Sequence, residues 1–421
     1  MTPEKRFTIA SIVIGAAAAV PLHLLVRLEA MPVPVMSPVQ RQVSIEWQPL
    51  LPDLTPEPPA ELPEPTLSKE GEDRINLRVT ALAEALSRMW TRSPERLVRV
   101  IDSASRAVDQ SPPVTLLLAI AHAETNGKIL DVSEAGAVGL AQATPVAYLQ
   151  EKFSGKLFVT EDYAIGSRAY MVKKPLGDAY KIAGIALERR SGSVARAKRL
   201  LRSAQSLRRE GLTELDYLIA YGPEGYEDSI KAADQYNRRT LAELERLLAG
   251  GDRDLLEQFR DRMKREYADL REEQARYWKR YQQDLVARRD ELLVSRFGAP
   301  MRVLDEELVY DASEYLAENL DDRFSATHMA AFLVQHLDTK RSEARKLARA
   351  SSQVERMTAA LYNGGSHNVK RMLSGLIATL PETDNYMRKV PATRRKLDRH
   401  IALAEAALLP VRPERPSRRA R

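Results

Sequence analysis

The sequence predicts an all-α fold, and three observations carry that expectation. From about residue 76 onward, apolar side chains recur every three to four positions, the spacing of one helix face. Residues 253–296 form a charge-dense run of about 44 residues that keeps such a stripe throughout, in Leu256, Phe259, Met263, Tyr267, Leu270, Trp278, Tyr281, Leu285 and Leu292. Helix starts and stops punctuate the rest: Ser93-Pro94-Glu95, Pro112-Pro113, Gly250-Gly251 and Gly364-Gly365.

Length and composition frame the reading. The chain has 421 residues, enough for one large domain or two modest ones with linkers. It contains no cysteine, which excludes a disulfide framework, a thiolate metal site and lipidation at a cysteine. The net charge is +6, and residues 411–421 supply most of it, with five Arg against one Glu. The body is near neutral, so no basic face points to nucleic acid.

The elements follow in order. Lys5 and Arg6 precede an uncharged run, residues 7–26, of about 20 residues, the length of a membrane-spanning helix. Its basic flank predicts a cytoplasmic N-terminus and an external remainder. A cleaved signal peptide is the second reading, with residues 16–19 offering small-residue sites, but apolar sequence continues beyond them. Residues 31–66 hold ten of the 24 prolines, a composition that favours an extended stalk. A first helix carries Leu77, Val79, Ala81, Leu82, Leu86 and Trp90 on one face, and a second, capped by Ser93, carries Leu97, Val98, Ile101 and Ala104. Residues 114–124 are almost wholly apolar and suit a buried central helix that ends in Glu124. Desolvation there pushes a carboxyl's pKa upward and keeps it protonated, ready to donate. After it, Gly136 and Gly139 permit positive φ and close backbone approach. Ser133 and Gln142 offer hydrogen-bonding groups, and Pro145 suits a helix's first turn. The run 253–296 reads as one arm of a hairpin or coiled coil, with residues 182–207 as its antiparallel partner. His328 and His336 lack a third ligand nearby, so no metal is expected. Gly364-Gly365 reads as a helix stop after Tyr362 and Asn363, and Glu382 and Tyr386 share one helix turn at i, i+4.

Three motifs stand in a fixed order. They are Glu124-Thr125 with Ser133-Glu134-Ala135-Gly136-Ala137-Val138-Gly139-Leu140-Ala141-Gln142 and Pro145; Ala360-Leu361-Tyr362-Asn363-Gly364-Gly365; and Glu382-Thr383-Asp384-Asn385-Tyr386-Met387-Arg388-Lys389-Val390. Together they resemble the soluble-lytic-transglycosylase, goose-lysozyme-like family, with its E-S, S-x-x-G-A-x-G-L-M-Q, A-Y-N-x-G and E-T-x-x-Y-V-x-K-V patterns. The resemblance covers residues 93–165 and 311–395. Thr125, Ala141 and Thr144 depart from the family's usual Ser and Met residues, and its aromatic and Asn-Pro after the acid are missing here.

The resemblance implies a lysozyme-like transglycosylase domain interrupted by a long helical insertion. Residues 1–6 would be cytoplasmic, 7–26 a transmembrane signal anchor and 27–70 a proline-rich linker. Residues 71–170 and 311–400 would be two half-domains, 171–310 the inserted arm, and 401–421 a helix end with a basic tail. The tail reads as a solvated end, with contact to anionic lipid or cell-wall polymer as the second reading. The implied activity is cleavage of peptidoglycan glycan strands without metal or cofactor, outside the inner membrane of a bacterium, in the periplasm. Glu124 would be the acid and then the base, Ser133 and Gln142 its neighbours in the substrate groove. The Tyr362 hydroxyl, beside Asn363, would orient the acid, and Glu382 would lie near the reacting sugars. Three readings remain open: a lytic transglycosylase; a hydrolysing muramidase in which a second acid such as Asp131 or Glu134 holds a water; and a non-catalytic glycan-binding scaffold whose arm docks onto an envelope complex.

Overall fold

The computed structural model describes residues 69–408 apart from 91–93, 110, 152, 154 and 220–225. The expected cytoplasmic N-terminus, membrane anchor and nearly all of the linker lie outside the described residues, as do the Ser93 cap and the arginine-rich tail. Among the described residues no helix is long and apolar enough to cross a membrane. The architecture of the described residues is all-α, with only isolated bridges at Val132, Val138 and Ala143 among them besides helix and turn.

Helices α1 (Lys69–Ser87) and α2 (Glu95–Arg106) bury the apolar faces expected of them, with Val79, Leu82, Leu86, Leu97, Val98 and Ile101 in the core. They pack around α3 (Val114–Thr125), which begins behind Pro113 and is buried over most of its length. Asn126, at φ 53°, ends α3 in the left-handed conformation. A short helix α4 (Pro145–Gln150) follows, with Thr144 Oγ1 accepting from the Ala147 amide at 3.2 Å and Pro145 in the first turn.

Helix α5 (Glu161–Leu187) is the axis of the next layer, and α6 (Ser193–Ile219), α7 (Tyr226–Gly250) and α8 (Arg253–Phe297) all pack against it. Helix α8 is continuous for 45 residues, as its stripe predicts. Gly251, at φ 71°, breaks the chain before it, and the Asp252 carboxylate caps it by accepting from the amides of Asp254 and Leu255. Its main partner is α5 rather than residues 182–207, which α5 and α6 divide between them at the turn after Leu187. The reason lies in small residues. Tyr267 packs over Gly177 and Trp278 over Gly166, where a Cβ would meet the rings at 2.8 Å and 2.5 Å. The two glycines let the aromatic helix approach α5 closely. The expected boundary at residue 171 therefore falls inside one helix, and Tyr281, Leu285 and Leu293 of α8 belong to the same core as α3.

The chain then returns through α9 (Val309–Asn319) to α10 (Ala326–Leu347), which the Ser325 hydroxyl caps by accepting from the His328 amide. Helix α11 (Val354–Leu373) consists of two helical segments that meet at Gly365, whose φ of 71° and ψ of 154° are not helical, so the first segment stops at the glycine pair as expected. Helix resumes beyond it because the next turns are anchored: His367, Val369 and Arg371 are buried, and the Arg371 guanidinium donates through Nη2 and Nε to the Asp178 carboxylate on α5, at 2.5 and 3.1 Å. Helix α12 (Pro381–Leu408) packs on α1, α3 and α11 and closes the site.

Candidate functional site

Glu124 occupies the last turn of α3 and lines a groove of about 820 Å³. Its carboxyl is pushed up to about 7, first by burial. The Tyr386 hydroxyl opposes this by donating to Oε1 at 2.7 Å, the charge of Glu382 adds to the rise, and Lys389 offsets part of it. The carbonyl end of a helix disfavours a negative charge as well. Because Tyr386 holds Oε1, Oε2 is left to carry the proton. Burial and the neighbouring Glu124 hold the Tyr386 phenol well above its ordinary range, so it stays a donor.

The loop after α3 is shaped by close contacts. Gly136 and Gly139 have φ of 71° and 73°. A Cβ on Gly136 would lie 2.0 Å from the Tyr281 ring, and one on Gly139 would lie 2.3 Å from the Arg323 carbonyl oxygen. Arg323 is wholly buried and holds the loop in place. It pairs with Asp321 at 2.6 Å, donates to the carbonyls of Gly136 at 3.2 Å and Ala143 at 2.9 Å, and donates to the Tyr281 hydroxyl at 3.0 Å. Tyr281 in turn donates to the Phe158 carbonyl at 2.9 Å, and Arg289, also on α8, donates to the Leu130 carbonyl at 2.9 Å. Ser133 lines the groove, but its hydroxyl accepts from the Ala137 amide at 3.0 Å and so closes the turn. Gln142 also lines the groove, with φ 46°. Its Nε2 donates to the carbonyls of Gly139 at 3.0 Å and Asp131 at 3.4 Å, leaving its oxygen for a ligand. Ala141 and Thr144, two of the positions that depart from the family pattern, line the same groove.

The later motifs meet Glu124 from the other side. Tyr362, Asn363 and Glu382 all line the groove. The Tyr362 hydroxyl does not reach the acid: it donates to the Ala141 carbonyl at 2.7 Å, while its ring stacks on Tyr386 at 6.3 Å between centroids. The orienting hydroxyl is that of Tyr386, and Tyr362 backs it while tying α11 to the loop. Asn363 donates to Glu382 at 3.4 Å and accepts from Thr383 at 3.0 Å, joining α11 to the first turn of α12. Behind Tyr362, the ring of His336 stands edge-on at 5.3 Å, and its Nδ1 lies 2.7 Å from the Glu151 carboxylate. Burial holds His336 below its usual range, so the ring is neutral and Nδ1 carries the hydrogen. Neither Asp131 nor Glu134 lines the groove; Glu382 is the second carboxylate that does. Among the described residues no group of three or more His, Asp or Glu is placed to hold a metal.

Of the residues that the sequence singles out, the structure brings Glu124, Ser133, Gln142, Tyr362, Asn363 and Glu382 to one groove. Sequence reasoning missed Arg323, Asp321 and Tyr281, and it gave the orienting role to Tyr362. Comparison with protein-family models, with curated proteins and with solved structures returns no match for the chain.

Proposed function

We propose that the chain is a membrane-anchored peptidoglycan lytic transglycosylase, built as a lysozyme-like domain interrupted by the helices of residues 171–310. The observation that carries the reading is Glu124: a carboxyl near pKa 7, gripped by Tyr386 through one oxygen, in a groove large enough for sugars. The order and spacing of the three sequence motifs supply the substrate class.

In this reading Glu124 gives its proton to the glycosidic oxygen as the β-1,4 bond from N-acetylmuramic acid to N-acetylglucosamine breaks. The ionised Glu124 then takes the proton of the muramic C6 hydroxyl while its oxygen bonds to C1, closing a 1,6-anhydro ring. The proton returns to the acid and no water is consumed, so one carboxyl suffices. A pKa near 7 suits both halves, since the group must give and regain the proton at the same pH. The anchor of residues 7–26 would place this chemistry in the periplasm, at the inner membrane.

A hydrolysing muramidase is the second reading, favoured by one observation: Glu382 lines the same groove and its charge reaches Glu124. The test is mass spectrometry of products released from purified sacculi by the full chain, with Glu124→Gln as control. Muropeptides one water lighter than hydrolysis products, absent with the variant, are expected. Full-mass reducing ends would assign the hydrolase. Sacculus binding without release would point to the glycan-binding scaffold.

A further inference from the structure

Helix α10 brings to the groove a titratable ring that the chemistry above does not use, His336. The ring is held on several sides. Phe332, one turn earlier on α10, stacks on its face at 5.0 Å between centroids and 15°, and Tyr362 of α11 meets it edge-on. Nδ1 donates to Glu151 Oε1 at 2.7 Å, and the Thr339 hydroxyl donates to Oε2 at 3.1 Å. Gln335 Nε2 donates to the Glu151 backbone carbonyl at 2.8 Å. Three side chains of one helix thus grip Glu151, and both of its carboxylate oxygens are taken. Burial raises this carboxyl, but the bonds from His336 and Thr339 and the charges of His336 and Lys340 bring it below its ordinary range, so it stays ionised.

A buried pair of this kind gives the fold little. Its desolvation offsets its attraction, and two apolar side chains of like volume would hold α4 against α10 as well. Glu151 also follows the carbonyl end of α4, where a negative charge is disfavoured. What the pair does fix is the tautomer. With the hydrogen on Nδ1, Nε2 is a lone-pair acceptor. Among the described residues nothing donates to it. Unlike the sealed Nδ1 of His367, Nε2 is not shut off from solvent, and the space that the ring borders is the groove. A largely buried acceptor left without a donor is costly until one arrives. The donors that the sugars of a glycan strand carry are hydroxyls and acetamido N–H groups.

We propose that His336 is a substrate-binding residue of the groove, its Nε2 accepting a hydrogen bond from a sugar hydroxyl or acetamido N–H, with Glu151 as the positioning residue that fixes the imidazole in its accepting tautomer. The proposal rests on the glycan reading above and adds to it a contact that lies outside the three motifs.

The test reads the imidazole itself. The full chain with Glu124→Gln, isotope-labelled at the histidine nitrogens, is titrated with a soluble oligomer of alternating N-acetylglucosamine and N-acetylmuramic acid that has lost its peptide stems. Proton–nitrogen NMR spectra report the tautomer and the bonding of each ring nitrogen. The His336 signal is assigned by its loss in Glu151→Met/His336→Phe. Before titration a neutral ring with its hydrogen on Nδ1 is expected. On binding, Nε2 should move upfield, as a lone-pair nitrogen does when it accepts a hydrogen bond, while Nδ1 stays in place. The double variant replaces both partners by apolar groups and leaves no buried orphan, so it should fold and bind the oligomer about three- to tenfold more weakly, the worth of one neutral hydrogen bond. Where it does not fold, His336→Gln assigns the signal and the titration decides alone. A hydrogen found on Nε2, an Nε2 that does not move at saturation, or undiminished affinity in the double variant would overturn the contact while leaving the glycan reading standing. An Nε2 that moves, with no release from sacculi by the active chain, keeps the contact and sinks the lytic reading. No binding at millimolar oligomer overturns both.

Discussion

Replacing Glu124 by Gln tests the raised proton affinity of the acid without reference to any substrate. A carboxyl that moves from 4.5 in the unfolded chain to about 7 in the folded one holds a proton that the unfolded chain has already released across that window. The folded state then binds more protons than the unfolded state, so stability falls as pH rises from about 4.5 to 7 and levels off above. Each decade of proton affinity is worth about 1.36 kcal/mol, which makes the loss roughly 3 kcal/mol. Gln has nearly the shape of the protonated acid and does not titrate. At pH 4 the variant and the parent should therefore be close in stability. At pH 8 the variant should be the more stable by about 2–3 kcal/mol. The assay is urea unfolding followed by tryptophan fluorescence at half-unit steps of pH. The quantity to read is the difference between variant and parent, which cancels every other titrating group. A difference that stays flat from pH 4 to 8 would refute the argument, because Glu124 would then have an ordinary proton affinity and no basis for acid catalysis near neutrality.

The other expectations concern the groups around the acid. Tyr386→Phe removes a hydrogen bond to the ionised carboxylate, worth about 1.5–3 kcal/mol. The loss favours the protonated form, so the alkaline limb of the pH–rate profile should move up by about one to two pH units, and an unmoved limb would show that Tyr386 does not set the acid's proton affinity. Arg323→Met leaves Asp321 buried without its counter-charge and should destabilise by about 3–5 kcal/mol in urea unfolding. Adding Asp321→Leu should recover much of that loss, and a single variant as stable as the parent would mean that the buried pair does not hold the loop.

What the sequence revealed was local, and what it hid was long-range. Glu124, Gly136 and Gly139 lie within one short stretch, and their roles follow from a helix end and two positive φ angles. The choice between Tyr362 and Tyr386 could not be made that way. Both lie more than 200 positions from the residues they bond, and their stacked rings put both hydroxyls near the acid. Arg323 carried no signal, because an Arg beside two Asp in a charge-rich chain reads as surface, and only the fold shows that it is wholly buried. Gly364-Gly365 was legible as a stop, and Gly365 does leave the helical region, but the pair has a second reason that only the fold shows: a Cβ at Gly364 would lie 3.2 Å from Thr383 Oγ1, so glycine there admits α12. The buried Arg371–Asp178 pair then makes it favourable for α11 to resume.

The same contacts limit what the helices of residues 171–310 can be. If α8 were only an arm projecting from a finished domain, the loop after Glu124 would keep its shape without it. Tyr281 fills the space that the missing Cβ of Gly136 leaves, and its hydroxyl accepts from Arg323 and donates to Phe158. Two turns further along α8, Arg289 holds the Leu130 carbonyl. The C-terminal part of the helix thus forms one wall of the loop that presents Ser133 and Gln142 to the groove. Any face the arm offers to a partner must lie elsewhere, on α6, α7 or the solvent side of α8. A load placed on α8 along its axis would be felt at Gly136, because the ring packed there has no free space into which to move.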